Sequence, residues 1–398
     1  MQIPFLRPRP PSLQQLGCEL DAIEASGIYT NYGPVNTRFE QALEHDMFGG
    51  ASACVTVCNA TIGLMMAMRH VVGDRRPGPR YALMPSFTFA AAAQAADWLG
   101  LVPLFCDIDA GDWAACARAE EALIGRYGDD IAVIVPYATF GNCIDLARYE
   151  ALSARTGIPI VIDAAASLGS LDADGCPFGA GFRFPIVFSM HATKTFSTGE
   201  GGVIACADRD TVQALRLMGN FGFGAPRAAT QPGLNAKLSE VGALLALERL
   251  RGFEPVVRHR EALADRYRAQ LPGWGCQQMR GRRCAYQFMP VTPPPECTLT
   301  RDGIIAALAA DGIGAAAYFA PHVAEQPFFR TRSVAGDLRE TARLSRQILA
   351  LPLWDEMTLA EVDSVCAALL RLTRAPVIIA SVRRPASPMA QPRKRAAV

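Results

Sequence analysis

One lysine stands out because of where the sequence places it. Lys194 follows an apolar, strand-like run at residues 184–188 and precedes a glycine-rich turn at residues 199–202, after which a second apolar run covers residues 203–205. A lysine amine held in a dry pocket has a lowered pKa, and it can act as a nucleophile that forms a Schiff base with a carbonyl group. The alternative is an ordinary solvated lysine in a surface loop, and this segment alone does not decide between the two.

Other polar residues fall where predicted strands end. In a parallel sheet the carboxyl ends of the strands meet at one edge, which is where functional groups collect. We therefore expect these residues to converge if the sheet is parallel. They are Asn59-Ala60-Thr61, Pro85-Ser86-Phe87, Asp163 and Ser189.

Short apolar runs alternate with helical patterns between residues 50 and 210. The runs lie at residues 55–57, 81–84, 102–106, 131–135 and 158–162, and the helical patterns lie at 60–70, 89–99 and 146–155. This alternation is typical of parallel strands buried on both faces and joined by crossover helices. The sequence therefore predicts an α/β sandwich.

The pattern changes after residue 238. One long helix is predicted over residues 238–268, followed by a strand at 286–291 and helices at 301–310 and 338–349. We predict a large α/β domain at 1–250, a smaller α+β domain at 251–375 and a disordered basic tail at 376–398.

Composition and charge exclude several classes of protein. The 398 residues carry a net charge of +1, and the body without the five basic residues beyond position 382 carries about −4, so its charge does not suit nucleic-acid binding. No apolar run reaches the roughly 18–20 residues that span a bilayer, and the start lacks a signal pattern. The twelve cysteines form no CxxC pair or zinc-ligand spacing. We expect a cytoplasmic protein with no metal site and no membrane or nucleic-acid partner.

Seven motifs occur in one order along the chain. By these motifs, over residues 2–370, the sequence resembles the fold-type I pyridoxal-phosphate enzymes and, more narrowly, the DegT/DnrJ/EryC1/StrS sugar aminotransferases. The motifs are Gly33-Pro34 with Phe39-Glu40, Cys58-Asn59-Ala60-Thr61, Pro85-Ser86-Phe87-Thr88-Phe89, Asp163-Ala164-Ala165, residues 189–194, residues 199–202 and residues 233–240.

The resemblance implies a fold and roles for the central residues. It implies the three-layer α/β sandwich of fold-type I with a mainly parallel sheet, plus a smaller α+β C-terminal domain. Lys194 matches the lysine that binds pyridoxal 5'-phosphate and shuttles protons, and Asp163 matches the partner of the pyridine nitrogen. Ala60, Thr61 and Ser189 match the phosphate ligands. Without the resemblance, Asp163 could cap a loop and Ala60-Thr61 could be an ordinary helix start.

Further roles follow from the same resemblance. Phe89 matches the aromatic residue that stacks on the pyridine ring, with Phe87 as a neighbouring candidate. Asn235 matches an asparagine supplied by the neighbouring subunit, which implies a homodimer with shared active sites; its alternative is a turn residue. His322 and Tyr318 match a segment near the substrate, although His322 could equally lie on the surface. Tyr29 and Asn31 belong to a loop expected to face the substrate.

Two departures from the family pattern bear on substrate choice. The family often has glutamine or histidine at the position of Ala166, where the side chain reaches the phenolic oxygen of the cofactor. Ala166 cannot donate a hydrogen bond, which leaves Ser167 or a water molecule as substitutes. The family also often has an Arg-Asn-His-Gly-like segment where this chain has Gly219-Asn220-Phe221-Gly222.

These observations predict an aminotransferase. The resemblance implies transfer of an amino group, with L-glutamate as donor, to the keto group of a nucleotide-linked sugar. A cyclitol or another small ketone is an alternative substrate, and a non-catalytic regulatory protein that keeps the fold is an alternative of another class. Related sugar dehydratases have histidine in place of the lysine, so Lys194 argues against that reaction.

Overall fold

The computed structural model describes residues 2–73 and 80–374, and the tail predicted at 376–398 lies outside the described residues. The helices are α1 (Gly17–Ser26), α2 (Pro34–Ala42), α3 (Ala60–Val72), α4 (Ala91–Trp98), α5 (Ala117–Tyr127), α6 (Leu146–Thr156), α7 (Arg209–Gly219), α8 (Glu240–Arg251), α9 (Phe253–Gln270), α10 (Arg301–Ala310), α11 (Arg339–Gln347) and α12 (Leu359–Arg374). The strands are β1 (Ala53–Val57), β2 (Tyr81–Pro85), β3 (Val102–Cys106), β4 (Ile131–Ile134), β5 (Ile162–Asp163), β6 (Ile186–Ser189), β7 (Gly202–Cys206), β8 (Gly275–Cys276), β9 (Met289–Thr292), β10 (Val334–Ala335) and β11 (Leu349–Leu351).

A mixed, mainly parallel sheet forms the centre of the fold. Two four-stranded ladders, β1-β7-β6-β5 and β10-β3-β2-β4, are joined by parallel bridges from Ile134 to Ile160 and from Tyr137 to Asp163. Each neighbouring pair is parallel except those that involve β7, which runs antiparallel to both β1 and β6. The predicted parallel sheet is therefore confirmed apart from β7. A loop without a helix joins β6 to β7, so the chain reverses instead of crossing over.

Helices cover both faces of this sheet. Along β1, Cys54 packs into one apolar cluster while Val55 and Val57 pack into the cluster on the opposite face, as the two-residue period of a strand requires. Helices α3, α4 and α7 lie on one face, where α3 contacts both of the others, and α2 packs against α8 on the other face. The predicted three-layer α/β sandwich is confirmed.

The C-terminal part contains a second, smaller sheet. Strands β8, β9 and β11 form an antiparallel sheet in the order β11-β9-β8, and α12 packs against both α9 and α10. A separate apolar cluster fills this part, with Tyr267, Leu308 and Leu369 fully buried. These are the features of the α+β unit predicted from the sequence, and its boundaries at 251 and 375 remain a prediction.

Several elements differ from their predicted bounds. Of the strand predicted at 158–162, only the last residue belongs to β5, which covers Ile162–Asp163. The helix predicted over 238–268 is two helices that meet at Gly252, because the ring of Pro255 has no N–H to continue the bonding of α8 and fits best in the first turn of a new helix. The strand predicted at 286–291 begins only at Met289. The helix predicted at 338–349 ends at Gln347, since Ile348 is extended and leads into β11. Among the described residues, no helix has both the length and the apolar character needed to cross a membrane.

Candidate active site

The loop between β6 and β7 fixes the position of Lys194. Ser189 pairs with Gly202 where the two strands meet the loop. Inside the loop, the Met190 N–H donates to the Gly201 carbonyl at 2.9 Å and the Lys194 N–H donates to the His191 carbonyl at 2.8 Å. The lysine side chain is partly buried and lines a cavity. It is therefore not an ordinary solvated lysine in a surface loop.

The cavity has a volume of about 860 Å³, a size typical of small-molecule sites. Most of the predicted site residues converge on it, since the carboxyl ends of the parallel strands open onto this space. The predicted residues that line it are Ala60, Thr61, Phe89, Asp163, Ser189, Lys194 and Tyr318.

Asp163 and Lys194 place opposite charges at the same cavity. Asp163 ends β5, is 2% exposed, and accepts a hydrogen bond from the Ala165 N–H at 3.1 Å. Burial raises its pKa to about 6, against the opposing effects of that hydrogen bond and of the Lys194 charge. Burial lowers the pKa of Lys194 to about 8, against the attraction of Asp163. Both groups therefore exchange protons closer to neutrality than they would in water.

The start of α3 forms an anion cradle. The Asn59 side chain caps the helix by accepting from the Ile62 N–H at 3.0 Å, which leaves Ala60 and Thr61 at the positive end of the helix dipole. A Cβ atom at position 202 would lie 2.9 Å from the Ala60 nitrogen, so Gly202 permits β7 to approach this helix end. Ser189 lines the same cavity, and its Oγ accepts from the His191 N–H at 3.2 Å. This donor set suits a phosphate group.

Phe89, and not Phe87, faces the cavity. Phe89 precedes α4 and is 58% exposed, with its ring available on the cavity wall. Phe87 is fully buried, and its ring packs edge-on against Phe140 and Phe319. The sequence left both residues as candidates for stacking on the pyridine ring, and only Phe89 lines the cavity. The stacking role of Phe89 stays a prediction.

The structure does not bring four other predicted residues to this cavity. His322 is 3% exposed, so it is not a surface residue, and its Nδ1 lies 2.8 Å from the Ser86 Oγ instead of facing the cavity. Tyr29 and Asn31 are exposed and do not line it. Asn235 is also exposed, on a segment that pairs with Asn220. None of these four residues lines the cavity of its own chain.

Ser167 does not supply the hydrogen-bond donor that Ala166 lacks. Both residues are buried and neither lines the cavity. The Ser167 hydroxyl is directed at the carbonyl groups of Ala138 and Asn142, at 3.5 and 3.3 Å. Ser167 is therefore not the substitute donor that the sequence allowed.

Several residues that line the cavity were not predicted from the sequence. The Gln287 Oε1 accepts a hydrogen bond from the Lys194 Nζ at 2.9 Å. Tyr137 lies beside Asp163, and burial together with that carboxylate raises the pKa of its phenol. His191 and Glu200 also line the cavity, with 3.7 Å between the His191 Nε2 and the Glu200 Oε1. Within residues 2–73 and 80–374, no group of three or more His, Cys, Asp and Glu side chains is arranged to hold a metal ion.

Comparison with known proteins decides the family. The sequence pattern of the DegT/DnrJ/EryC1/StrS aminotransferase family matches residues 15–370. The chain belongs to this family. It is 35% identical over 374 residues to Protein Rv3402c of Mycobacterium tuberculosis H37Rv, which covers 92% of this chain and 89% of that protein.

Solved structures agree with this assignment. A structure from Bacillus cereus ATCC 10987, assigned to the PLP-dependent aminotransferases, is 37% identical with a TM-score of 0.87, over 93% of this chain and 100% of that one. DesI in the presence of its TDP-sugar product is 28% identical with a TM-score of 0.83, over 94% and 93%. The fold-type I architecture, the aminotransferase class and the dependence on pyridoxal phosphate, all implied by the resemblance, are confirmed.

Proposed function

We propose that this aminotransferase moves an amino group from L-glutamate to the keto group of a nucleotide-linked sugar. The observation that carries the proposal is that Lys194, Asp163 and an anion cradle all line one cavity. The similarity to DesI, whose structure was determined with a TDP-sugar product, supports a sugar nucleotide as substrate.

Each side chain has a task in this proposal. Pyridoxal phosphate supplies an electron sink for the carbon that gives up or gains the amine. The Lys194 amine would hold the cofactor covalently, and as a free amine it would carry a proton to and from the reacting carbon. Its pKa of about 8 leaves roughly a tenth of the amine unprotonated at pH 7, against a few parts in ten thousand for an ordinary lysine.

The remaining residues bind and orient. Asp163 would hold a proton on the pyridine nitrogen, and Thr61, Ser189 and the start of α3 would hold the phosphate group. Phe89 would lie against the ring. These residues match the cofactor in the chemistry of their donors and in their placement around one cavity.

We extend the proposal to the assembly and the location of the protein. Asn235 does not reach the cavity of its own chain and is exposed, so it is free to serve the site of a second copy in a homodimer. A cytoplasmic location is part of the same proposal.

A substrate panel tests the reaction. Purified protein with L-glutamate is offered nucleotide-linked ketosugars, keto-cyclitols and simple ketones, and we expect 2-oxoglutarate and an aminosugar in equal amounts with the ketosugars alone. Turnover with cyclitols or simple ketones alone would show that the substrate belongs to one of these classes and is not a nucleotide-linked sugar. No turnover with any ketone, despite bound cofactor, would favour the regulatory alternative.

A trapping experiment tests Lys194 separately. Borohydride reduction of the protein with bound cofactor is expected to attach the cofactor permanently to the peptide that contains Lys194, as read by mass spectrometry. The variant Lys194→Ala is expected to lose this attachment. Attachment at Lys237 in the wild-type protein would contradict the assignment.

A further inference from the structure

We propose that Gln287 is a positioning residue for Lys194, whose side-chain carbonyl oxygen holds the lysine amine whenever that amine is not bonded to the cofactor. The proposal rests on the role proposed for Lys194. It adds a residue from the C-terminal part of the chain to the handling of the amine.

The contact itself is direct and well anchored. The Lys194 Nζ donates a hydrogen bond to the Gln287 Oε1 at 2.9 Å. Among the described residues, the amine makes this hydrogen bond and no other. Gln287 is 8% exposed, and its Nε2 donates to the Thr193 Oγ1 at 3.3 Å. Thr193 Oγ1 in turn lies 2.9 Å from the His191 Nδ1. Both ends of the Gln287 amide are therefore attached to the loop that carries the lysine.

The backbone of Gln287 is held from behind. Arg260 Nη1 donates to the carbonyl groups of Tyr286 at 2.9 Å and Gln287 at 3.2 Å. Arg260 is 5% exposed and is bound by the Asp355 carboxylate, with Nε at 2.8 Å and Nη2 at 2.6 Å from its Oδ1. This chain of charge-assisted bonds limits the movement of Gln287 relative to the cavity.

The same carboxylate also holds the other side of the contact. Arg249 Nη2 lies 2.7 Å from the Asp355 Oδ2 and donates to the carbonyl of Thr195, the residue after the lysine. The Thr195 hydroxyl lies within hydrogen-bond distance of the carbonyl groups of Ala285 and Tyr286, at 3.1 and 2.9 Å. The backbone next to Lys194 and the backbone of Gln287 are therefore bound to one carboxylate through two arginines, which restrains the separation of the two side chains.

A neutral amide suits this task better than a charged group. Its carbonyl oxygen accepts a hydrogen bond from the amine in both protonation states, whereas a carboxylate would strongly favour the protonated one. The other titratable groups that line the cavity are Asp163, Tyr137, His191, Glu200 and Tyr318. Gln287 can thus fix the position of the amine, while burial lowers the pKa of the amine and the charge of Asp163 opposes that shift.

Chemical labelling of the cofactor-free, full-length protein tests the contact. Only an unprotonated amine reacts with trinitrobenzenesulfonate, so the labelling rate of Lys194, followed by peptide mass spectrometry, gives its titration midpoint. Gln287→Glu, which keeps the size of the side chain, is expected to raise that midpoint by about one pH unit or more. Gln287→Leu is expected to lower it, because the acceptor for the protonated amine is gone.

A matched control separates contact from charge. Gln278 is exposed and does not line the cavity, so Gln278→Glu adds the same charge and is expected to leave the midpoint unchanged. A wild-type midpoint in both Gln287 variants would overturn the proposal. If Gln287→Leu does not fold, the isosteric Gln287→Glu alone decides.

Turnover gives a second readout. In Gln287→Leu we expect kcat to fall by about tenfold with little change in the KM for the ketosugar, because the proton carrier is misplaced while the substrate contacts remain. Gln287→Asn, whose amide is one carbon shorter, is expected to behave like the leucine variant. If the wild-type protein aminates no sugar, the proposed function fails while the labelling result still reports on Gln287.

Discussion

Lys194 is expected to destabilise the cofactor-free protein at neutral pH, and Lys194→Met should remove that cost. Burial lowers the pKa of the amine from 10.5 to about 8, so the folded protein releases this proton at a lower pH than the unfolded chain. Below pH 8 both states carry the proton, and the folded state bears the full penalty of a desolvated charge. As the pH rises from 8 to 10.5 the folded state loses the charge first, and the penalty disappears.

The size of the effect follows from the shift. A shift of about 2.5 units corresponds to about 3 kcal/mol at pH 7, and about 1 kcal/mol of it remains at pH 10. Methionine also loses the hydrogen bond to Gln287, which costs about 1 kcal/mol at either pH. We therefore expect Lys194→Met to raise the free energy of unfolding by about 2 kcal/mol at pH 7 and to leave it nearly unchanged at pH 10.

Urea unfolding of the cofactor-free proteins measures this difference. Wild-type protein and Lys194→Met are compared at pH 7 and pH 10, so that other groups that titrate in this range affect both proteins alike. The matched control is Lys237→Met, which should lower stability because Lys237 donates to the Asn220 side chain at 3.0 Å and its amine lies 4.7 Å from the centre of the Phe221 ring. An equal gain for Lys194→Met at both pH values, or no gain at pH 7, would refute the reasoning.

Four other changes test the site and the residues that support it. Asp163→Asn should keep the cofactor bound but lower turnover by orders of magnitude in the glutamate assay, since the ring nitrogen loses its charge partner. Asp355→Ala should reduce the free energy of unfolding in urea by about 3–5 kcal/mol, because two buried guanidinium groups lose their carboxylate. Thr61→Ala should weaken cofactor binding about tenfold in equilibrium dialysis through loss of one hydroxyl donor. Mixed dimers of Lys194→Ala and Asn235→Ala subunits should regain part of the activity that each variant lacks alone; no recovery after demonstrated subunit exchange would exclude a shared site.

The sequence predicted the strands of the large sheet well because buried parallel strands leave a strong local signal. The runs at 81–84 and 102–106 correspond to β2 and β3 within one residue at each end. Residues at the ends of such strands meet at one sheet edge whatever the loop lengths, so the convergence of Asp163, Ser189 and Thr61 followed from strand positions alone.

Strand direction and long-range contacts left no such signal. The apolar run at 203–205 looks the same in either direction, and only the loop from β6 shows that β7 is reversed. Gln287 lies 93 residues from Lys194 in the sequence, in a segment without regular structure just before β9. What places it is the buried Arg260, whose partners lie on two separate segments, at residues 286–287 and 353–355, and no periodic pattern records such a contact.

Motif order predicted membership of the family better than it predicted the location of individual side chains. His322 was chosen because its segment lies near the substrate in the family, and Tyr318 of that segment does line the cavity. His322 itself is four residues further along, past Pro321, and is directed toward Ser86 in the core. Position within a motif fixes the path of the backbone, while packing decides which side chains of that path reach the cavity.

The arrangement of charges explains how the fold can hold a site whose buried groups lower its stability. A buried amine with a lowered pKa and a buried carboxylate with a raised pKa both weaken the cofactor-free fold near pH 7. Directly behind them, Asp355 binds Arg249 and Arg260, and these in turn hold the backbone on both sides of the contact between Lys194 and Gln287. Among the described residues, Asp355, Arg249 and Arg260 make no hydrogen bond to the start of α3. A change such as Asp355→Asn should therefore alter the labelling of Lys194 more than it alters the binding of phosphate.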